Sequence, residues 1–272
     1  MKFRLVALTA TALFAAALAR ADQYDSKESF TRTGAFDARG QISLENVNGN
    51  VDVRTWDKNE ILIEVEKSAK TDEELQLIDL KIDLSESRAA IKVRLPKRPG
   101  AFFSASNIRA AVRFKLTVPA TASLNKISTV NSSVTLDGLR GAANVSSVNG
   151  GVHATHLGGD AKLETVNGAI KADFSAITAG QSLSFKTVNG QIAVRLVKDA
   201  GVELHGSVVN GRIDCDFPLQ VAGRVRSHNL AGKIGDGRAS LNAETVNGSI
   251  RLESLRTELA PRQPSCPVFF CL

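Results

Sequence analysis

The tripeptide Val-Asn-Gly occurs six times in this chain, and its regular return restricts the folds open to it. The copies are Val47-Asn48-Gly49, Val148-Asn149-Gly150, Val166-Asn167-Gly168, Val188-Asn189-Gly190, Val209-Asn210-Gly211 and Val246-Asn247-Gly248. Val130-Asn131-Ser132 is a degenerate copy, and His228-Asn229-Leu230 a more eroded one. From Asn131 onward the asparagines fall at 131, 149, 167, 189, 210, 229 and 247, with spacings of 18, 18, 22, 21, 19 and 18 residues. A period near 20 residues marks a repeat architecture, in which each unit buries its apolar face against the next.

Each unit reads as strands and turns. Asn149-Gly150 is a turn signal, and Gly151 to Leu157 alternates loosely between apolar and polar residues. Gly158-Gly159-Asp160 is a second turn, and Ala161 to Val166 alternates again into the next Asn-Gly. Ile170 to Phe174 and Ile192 to Leu196 repeat the pattern. Alternation over four to eight residues between turns means half-buried strands, two or three per unit. Asn-Gly between strands also suits a tight hairpin, so a hairpin meander is one architecture that fits. A β-solenoid fits better, because a meander has no reason to keep Val and Asn at one phase. In a solenoid the coils lie about 4.8 Å apart. The valines then form an inward core column, and the asparagine amides hydrogen-bond along the axis. The fold class expected is all-β: a single-stranded, β-helix-like β-solenoid with an N-terminal β-rich cap.

The rest of the chain frames the repeats. Met1, Lys2 and Arg4 precede an apolar run from Leu5 to Leu18, and Ala19-Arg20-Ala21 follows. That is the three-part pattern of a secretory signal over residues 1–21. The run of about 14 residues is short of the roughly 20 a membrane span needs; an uncleaved anchor helix is the alternative. Residues 22–120 hold longer strands with longer connections, including Gln41–Glu45, Val51–Arg54, Ile61–Glu66, Ala90–Leu95 and Ala111–Val118. A charged linker or short helix at Thr71–Gln76 and a loop from Pro96 to Ser106 separate them. This region reads as a cap over the exposed strand edges at one end of the stack. Residues 121–258 form the repeat solenoid, and the proline-bearing tail 259–272 is irregular.

At this level the chain resembles the putative-adhesin family of bacterial β-strand-repeat proteins, a domain of unknown function. Three features carry the resemblance: Ser43-Leu44-Glu45-Asn46-Val47-Asn48-Gly49-Asn50-Val51-Asp52-Val53 with Trp56-Asp57, then Leu116-Thr117-Val118-Pro119, then the Thr-Val-Asn-Gly-like corners from Thr129 to Ile250. It covers roughly residues 35 to 255. It implies a solenoid-like β fold outside the cytoplasm and brings no catalytic residues with it.

No constellation in the sequence reads as an enzyme site. His153 and His156 are three apart, which puts them on opposite faces of a strand. His205 and His228 stand about one coil apart without further ligands of metal-binding type. Asp214 and Asp216 are two apart, hence on one strand face, and could serve a polysaccharide-acting β-helix enzyme or bind Ca²⁺. No aromatic sugar platform accompanies them: Trp56 is the one Trp and Tyr24 the one Tyr. Catalytic, metal and cofactor residues are therefore expected to be none. The net charge of +6 falls to +3 without Lys2, Arg4 and Arg20. There is no basic stripe with interleaved aromatics, so nucleic acid is not an expected partner. Lysines and arginines such as Lys162, Lys171, Lys186, Arg195 and Arg251 recur at outward positions and read as solvated faces. Cys215 is read as a small buried residue, while export would permit a Cys266–Cys271 bridge. The function expected is an exported, non-enzymatic binding, adhesion or scaffolding surface of the cell envelope. The periplasm is the expected place, with the cell surface or the medium as alternatives, no transmembrane segment in the mature chain and an unidentified envelope component or surface glycan as partner.

Overall fold

The structure, a computed structural model, describes residues 26–95, 110–220 and 228–255. The signal segment, the 96–106 loop and the tail with Cys266 and Cys271 lie outside these residues. The N-terminal part holds β1 (Ser26–Ala35), β2 (Gln41–Glu45), β3 (Val51–Trp56), β4 (Glu60–Ala69), α1 (Asp72–Gln76), β5 (Asp79–Leu84), β6 (Arg88–Arg94) and β7 (Ala110–Pro119). The repeats follow as strand pairs: β8 (Ser123–Thr129) with β9 (Val134–Asp137), β10 (Ala143–Asn149) with β11 (Val152–Leu157), β12 (Ala161–Asn167) with β13 (Ile170–Phe174), and β14 (Ser182–Asn189) with β15 (Ile192–Leu196). Then come β16 (Val202–Asn210), β17 (Ile213–Cys215), β18 (Asn229–Ile234), β19 (Ala239–Asn247) and β20 (Ile250–Ser254). Thr71 caps α1, its hydroxyl accepting from the Glu74 amide at 3.3 Å.

Each repeat is one coil of two strands, joined at the Val-Asn-Gly corner and split between two ten-stranded sheets. One sheet runs β1-β4-β7-β3-β9-β11-β13-β15-β20-β17 and the other β18-β16-β19-β14-β12-β10-β8-β2-β6-β5. The pairing between coils is parallel and keeps one register: Asn149 lies opposite Asn167, Asn167 opposite Asn189, and Asn189 opposite Asn247. Parallel pairing removes the hairpin meander for the repeats. The result is an all-β, solenoid-like stack. Period-two alternation explains the core. Ala161 and Leu163 point inward from one sheet, Ile170 and Ala172 from the other, and all four are buried. Phe174 and Phe185 meet edge-on at 6.2 Å between ring centroids. Each fully buried Val, Leu, Ile or Phe contributes about 1.5–3 kcal/mol, so the columns hold the coils together.

The coils are not stacked in chain order. β19 and β20, last in the sequence, lie between β14–β15 and β16–β17. The strands β18 and β19 are joined by residues 235–238 and straddle β16, one antiparallel and one parallel to it. The opposite end is built the same way: β3 and β4, joined by residues 57–59, straddle β7. β1 and β5 form the outer edges at that end, linked where Arg32 Nη1 donates to the Ile82 carbonyl at 2.9 Å. The topology also corrects the reading of His228-Asn229-Leu230. That segment begins β18, an antiparallel edge strand, and is not a repeat corner.

Candidate functional site: the Val-Asn-Gly corner

The corner is built from four consecutive residues with four separate tasks. First, the residue before Val points inward. Ser147, Thr165, Thr187 and Thr245 are all buried. Each hydroxyl donates to a corner carbonyl of the preceding coil: Ser147 to Ser132 at 3.0 Å, Thr165 to Gly150 at 2.8 Å, Thr187 to Gly168 at 3.1 Å and Thr245 to Gly190 at 3.1 Å. These bonds satisfy backbone oxygens that the turn takes out of the sheet ladder.

Second, the valine points outward, which corrects the expectation of an inward core column. Val130, Val148, Val166, Val188, Val246 and Val209 are between 38% and 58% exposed and follow one another along the stack. The physical reason is the strand period. With Leu163 inward, Thr165 is inward too, and Val166 must face solvent.

Third, the asparagines form a continuous amide ladder. Asn48 donates to the Ala110 carbonyl at 3.0 Å. Above it Asn131 donates to Asn48, Asn149 to Asn131, Asn167 to Asn149, Asn189 to Asn167, Asn247 to Asn189 and Asn210 to Asn247, each rung 2.8 or 2.9 Å. The seven asparagines share one direction of donation, and each keeps a second amide hydrogen and a second lone pair.

Fourth, glycine allows the corners to touch. A Cβ on Gly150 would overlap the Ser132 carbonyl, on Gly168 that of Gly150, on Gly190 that of Gly168, on Gly248 that of Gly190, and on Gly211 that of Gly248. At the first coil a Cβ on Gly49 would overlap the Val112 carbonyl.

Beside the valine file runs a second outward file that includes Ser146, Glu164, Lys186, Glu244 and Ser207. The two files border an open groove of about 690 Å³. Lys186 pairs with Glu244 at 3.0 Å. The Asn242 amide, with Lys186, holds the Glu244 carboxyl below its ordinary range. The groove thus offers methyl groups along one side and charges and hydroxyls along the other, beside a row of free amide valences. It can hold an extended partner by contact and hydrogen bonding. The outward valines and their charged neighbours were missed as a site from sequence, although the strand period signals them.

The other candidate groups are dispersed. His156 adopts a left-handed backbone at φ 54 where β11 breaks register, and its Nδ1 lies 2.8 Å from Asp137 Oδ1. Thr155 donates to the same oxygen at 2.8 Å. The two contacts lower the Asp137 carboxyl, His156 contributing most. His153 lies between Thr135 and Lys171 on the neighbouring strands. His205 sits opposite Ala231, and the His228 carbonyl accepts from the Val208 amide at 2.9 Å. Asp214 lies in β17, which ends at Cys215, and accepts from Arg212 at 3.0 Å; the Asp216 amide donates to the Leu252 carbonyl of β20 at 3.0 Å. Cys215 is free and half-buried, and burial raises its thiol. Among the described residues no group of three or more His, Cys, Asp or Glu side chains is placed to hold a metal ion. No helix among them is long and apolar enough to cross a membrane. The outward cations divide between the sheets and mostly meet acids: Lys162 with Glu164, Arg251 with Glu253, and Arg195 with Asp173 through paired contacts, Nε to Oδ1 at 2.6 Å.

Comparison with known proteins follows the architecture. Among solved structures, a putative cell adhesion protein from Clostridium sporogenes is 12% identical and superposes with a TM-score of 0.51, covering 84% of this chain and all of that one. A putative adhesin from Bacteroides fragilis is also 12% identical, with a TM-score of 0.41, covering 84% of this chain and 98% of that one. No curated protein matches the chain. A model of the family described as Toastrack DUF4097 matches residues 22–253, nearly the whole strand-bearing region. The chain belongs to the Toastrack DUF4097 family.

Proposed function

We propose that this protein is an exported, non-enzymatic binding or scaffolding surface of the bacterial cell envelope, and that its contact face is the Val-Asn corner. One observation carries the reading: six exposed valines stand in file, five of them lining a groove, beside a ladder of asparagines with unused hydrogen-bonding valences. Soluble chains rarely leave a continuous apolar stripe exposed unless something covers it. The solved neighbour from Clostridium sporogenes carries the name of a putative cell adhesion protein, which agrees with a binding role. On this reading residues 1–21 are a cleaved signal, 22–120 a β-rich cap, 121–258 a β-helix-like repeat stack and 259–272 an irregular tail. The corner residues are structural as well as contacting, and the partner is an envelope component or surface glycan met in the periplasm or beyond.

The test is co-sedimentation of the tagged protein with purified envelope fractions and with isolated envelope glycans. The double variant Val166→Asp, Val188→Asp keeps its fold, because both sites face solvent, and loses binding. Equal binding by the variant and the parent chain removes the corner as the contact face. An uncleaved product in the cytoplasm removes the envelope role.

A further inference from the structure

The last coil, residues 239–254, fills a slot that the rest of the chain leaves open. β19 pairs in parallel with β14 on one side and β16 on the other, so Leu183 and Leu204 both face Leu241, and Asn189 and Asn210 both face Asn247. In the second sheet β20 does the same, with Ile192 and Ile213 both opposite Ile250. The recognition is made of main-chain ladders, the Thr245 hydroxyl on the Gly190 carbonyl and the asparagine rungs. The ladders and asparagine rungs recur between the other repeats; Val208 stands in place of the threonine on β16, and Lys186 pairs with Glu244 across β14 and β19. Nothing in the walls of the slot distinguishes this chain's own coil from that of a second copy.

The link that delivers the coil is short and crowded. Residues 235–238 carry the chain from β18, outside β16, to β19, inside it. Gly235 and Gly237 take φ of 57 and 68 there, and the Ala239 amide donates to the Gly201 carbonyl at 3.0 Å. Asp236 lies so close over Gly201 that a Cβ on that glycine would overlap the Asp236 carboxylate. Short, tightly constrained hinges before a terminal element are where identical chains trade that element. The coil at the other end, β2–β3, is set between β6–β7 and β8–β9 but is followed in the chain by all the repeats, so it has no such freedom.

We infer that the last coil is exchangeable, and that two copies of this chain join by each placing residues 239–254 in the slot of the other. The exchange keeps every ladder register and leaves the valine file continuous, with Val246 supplied by the partner. It is independent of what the corner binds.

The experiment uses the full-length chain with Cys215, Cys266 and Cys271 replaced by Ser. Ser184 and Asn242 are direct partners across β14 and β19. One tagged batch carries Ser184→Cys and a differently tagged batch carries Asn242→Cys; they are unfolded, mixed, refolded and oxidised. Exchange yields a disulfide-linked heterodimer whose share rises with protein concentration. A chain with both cysteines closes its internal bridge when refolded dilute, which shows that the pair is bondable. Heterodimer absent at every concentration while that internal bridge forms overturns the inference. Light scattering on the parent chain refolded at high concentration gives a second reading. A dimer whose share falls several-fold when Gly-Ser-Gly is inserted after Asp236 supports exchange. A monomer at all concentrations, or a dimer indifferent to hinge length, overturns it.

Discussion

Asn189 and Asn247 are 58 residues apart in the chain, yet the Asn247 amide donates to Asn189 Oδ1 at 2.8 Å. The rung records the insertion of the final coil into the stack, and it is indistinguishable from the rungs between consecutive repeats. A ladder of this kind stabilises in proportion to its continuity, because each amide both donates and accepts. Asn167→Leu removes the bond to Asn149 and the one received from Asn189. The expected loss is about 1–2 kcal/mol, from two hydrogen bonds of ordinary net worth. Asn229→Leu, in β18, loses one exposed bond from Ser207 and shifts stability by no more than about 0.5 kcal/mol. Urea unfolding of the two variants checks the contrast, and equal midpoints would speak against the ladder.

Thr165 and Val166 are neighbours in sequence with opposite roles. Thr165→Val keeps the shape but leaves the Gly150 carbonyl without its donor, at a cost of about 1–3 kcal/mol. Val166→Thr, on the outside, is expected to stay within about 0.5 kcal/mol of the parent. A thermal shift larger for Val166→Thr than for Thr165→Val would reverse the assigned orientation.

Glycine is demanded at the corners by proximity, and at Gly180 by backbone angle alone. Gly190→Ala drives a methyl group into the Gly168 carbonyl and forces two coils apart, costing about 2–3 kcal/mol. Gly180 has φ of 79 and open space around it, so Gly180→Ala costs about 1 kcal/mol for the left-handed conformation alone. Calorimetry on the pair separates the two effects.

Acid acts on the stack through Glu45. Lys92 at 2.6 Å and Lys126 at 2.9 Å flank its carboxylate and, Lys92 foremost, lower its pKa from 4.5 to about 2. A depressed carboxylate pKa stabilises the fold above the unfolded value, and the contribution disappears as pH falls from about 4.5 toward 2. The pair is exposed, so the effect is small and shrinks with salt. Melting curves of Glu45→Gln against the parent chain should differ at pH 6 and converge at pH 2. A gap that widens on acidification contradicts the assignment.

Much of this molecule was legible in its sequence because the repeat writes the same physics many times. The asparagine spacing gave parallel coils in register, and alternation located the strands. What misled was the identity of one residue. Val166 reads as core because it is apolar, but counting in twos from Leu163 puts Thr165 inside, where its hydroxyl has a carbonyl to meet. A pattern rule outranked a composition rule, and the exposed valines became the candidate site for that reason.

The order of the coils was not legible. Asn229 falls on the repeat spacing by coincidence, because it opens β18, a six-residue strand that returns antiparallel along the outer side of β16. The inserted coil carries the same Thr-Val-Asn-Gly as the coils wound in chain order, and the end coil differs at that motif by a single residue, Val208 for threonine.

The straddled arrangement at the C-terminal end also decides how the molecule bears a load. A stack wound in chain order would present its last coil at the rim, where tension on the chain lifts one rung at a time. Here Leu255 directly follows β20, a strand paired on both sides, and the Leu255 amide is itself tied to the Leu196 carbonyl at 2.7 Å. Tension drawn along β20 is shared by the rungs to β15 and β17 together, in shear and not in peeling. Traction applied there meets a strand held on both sides, which yields at a higher force than an edge strand does.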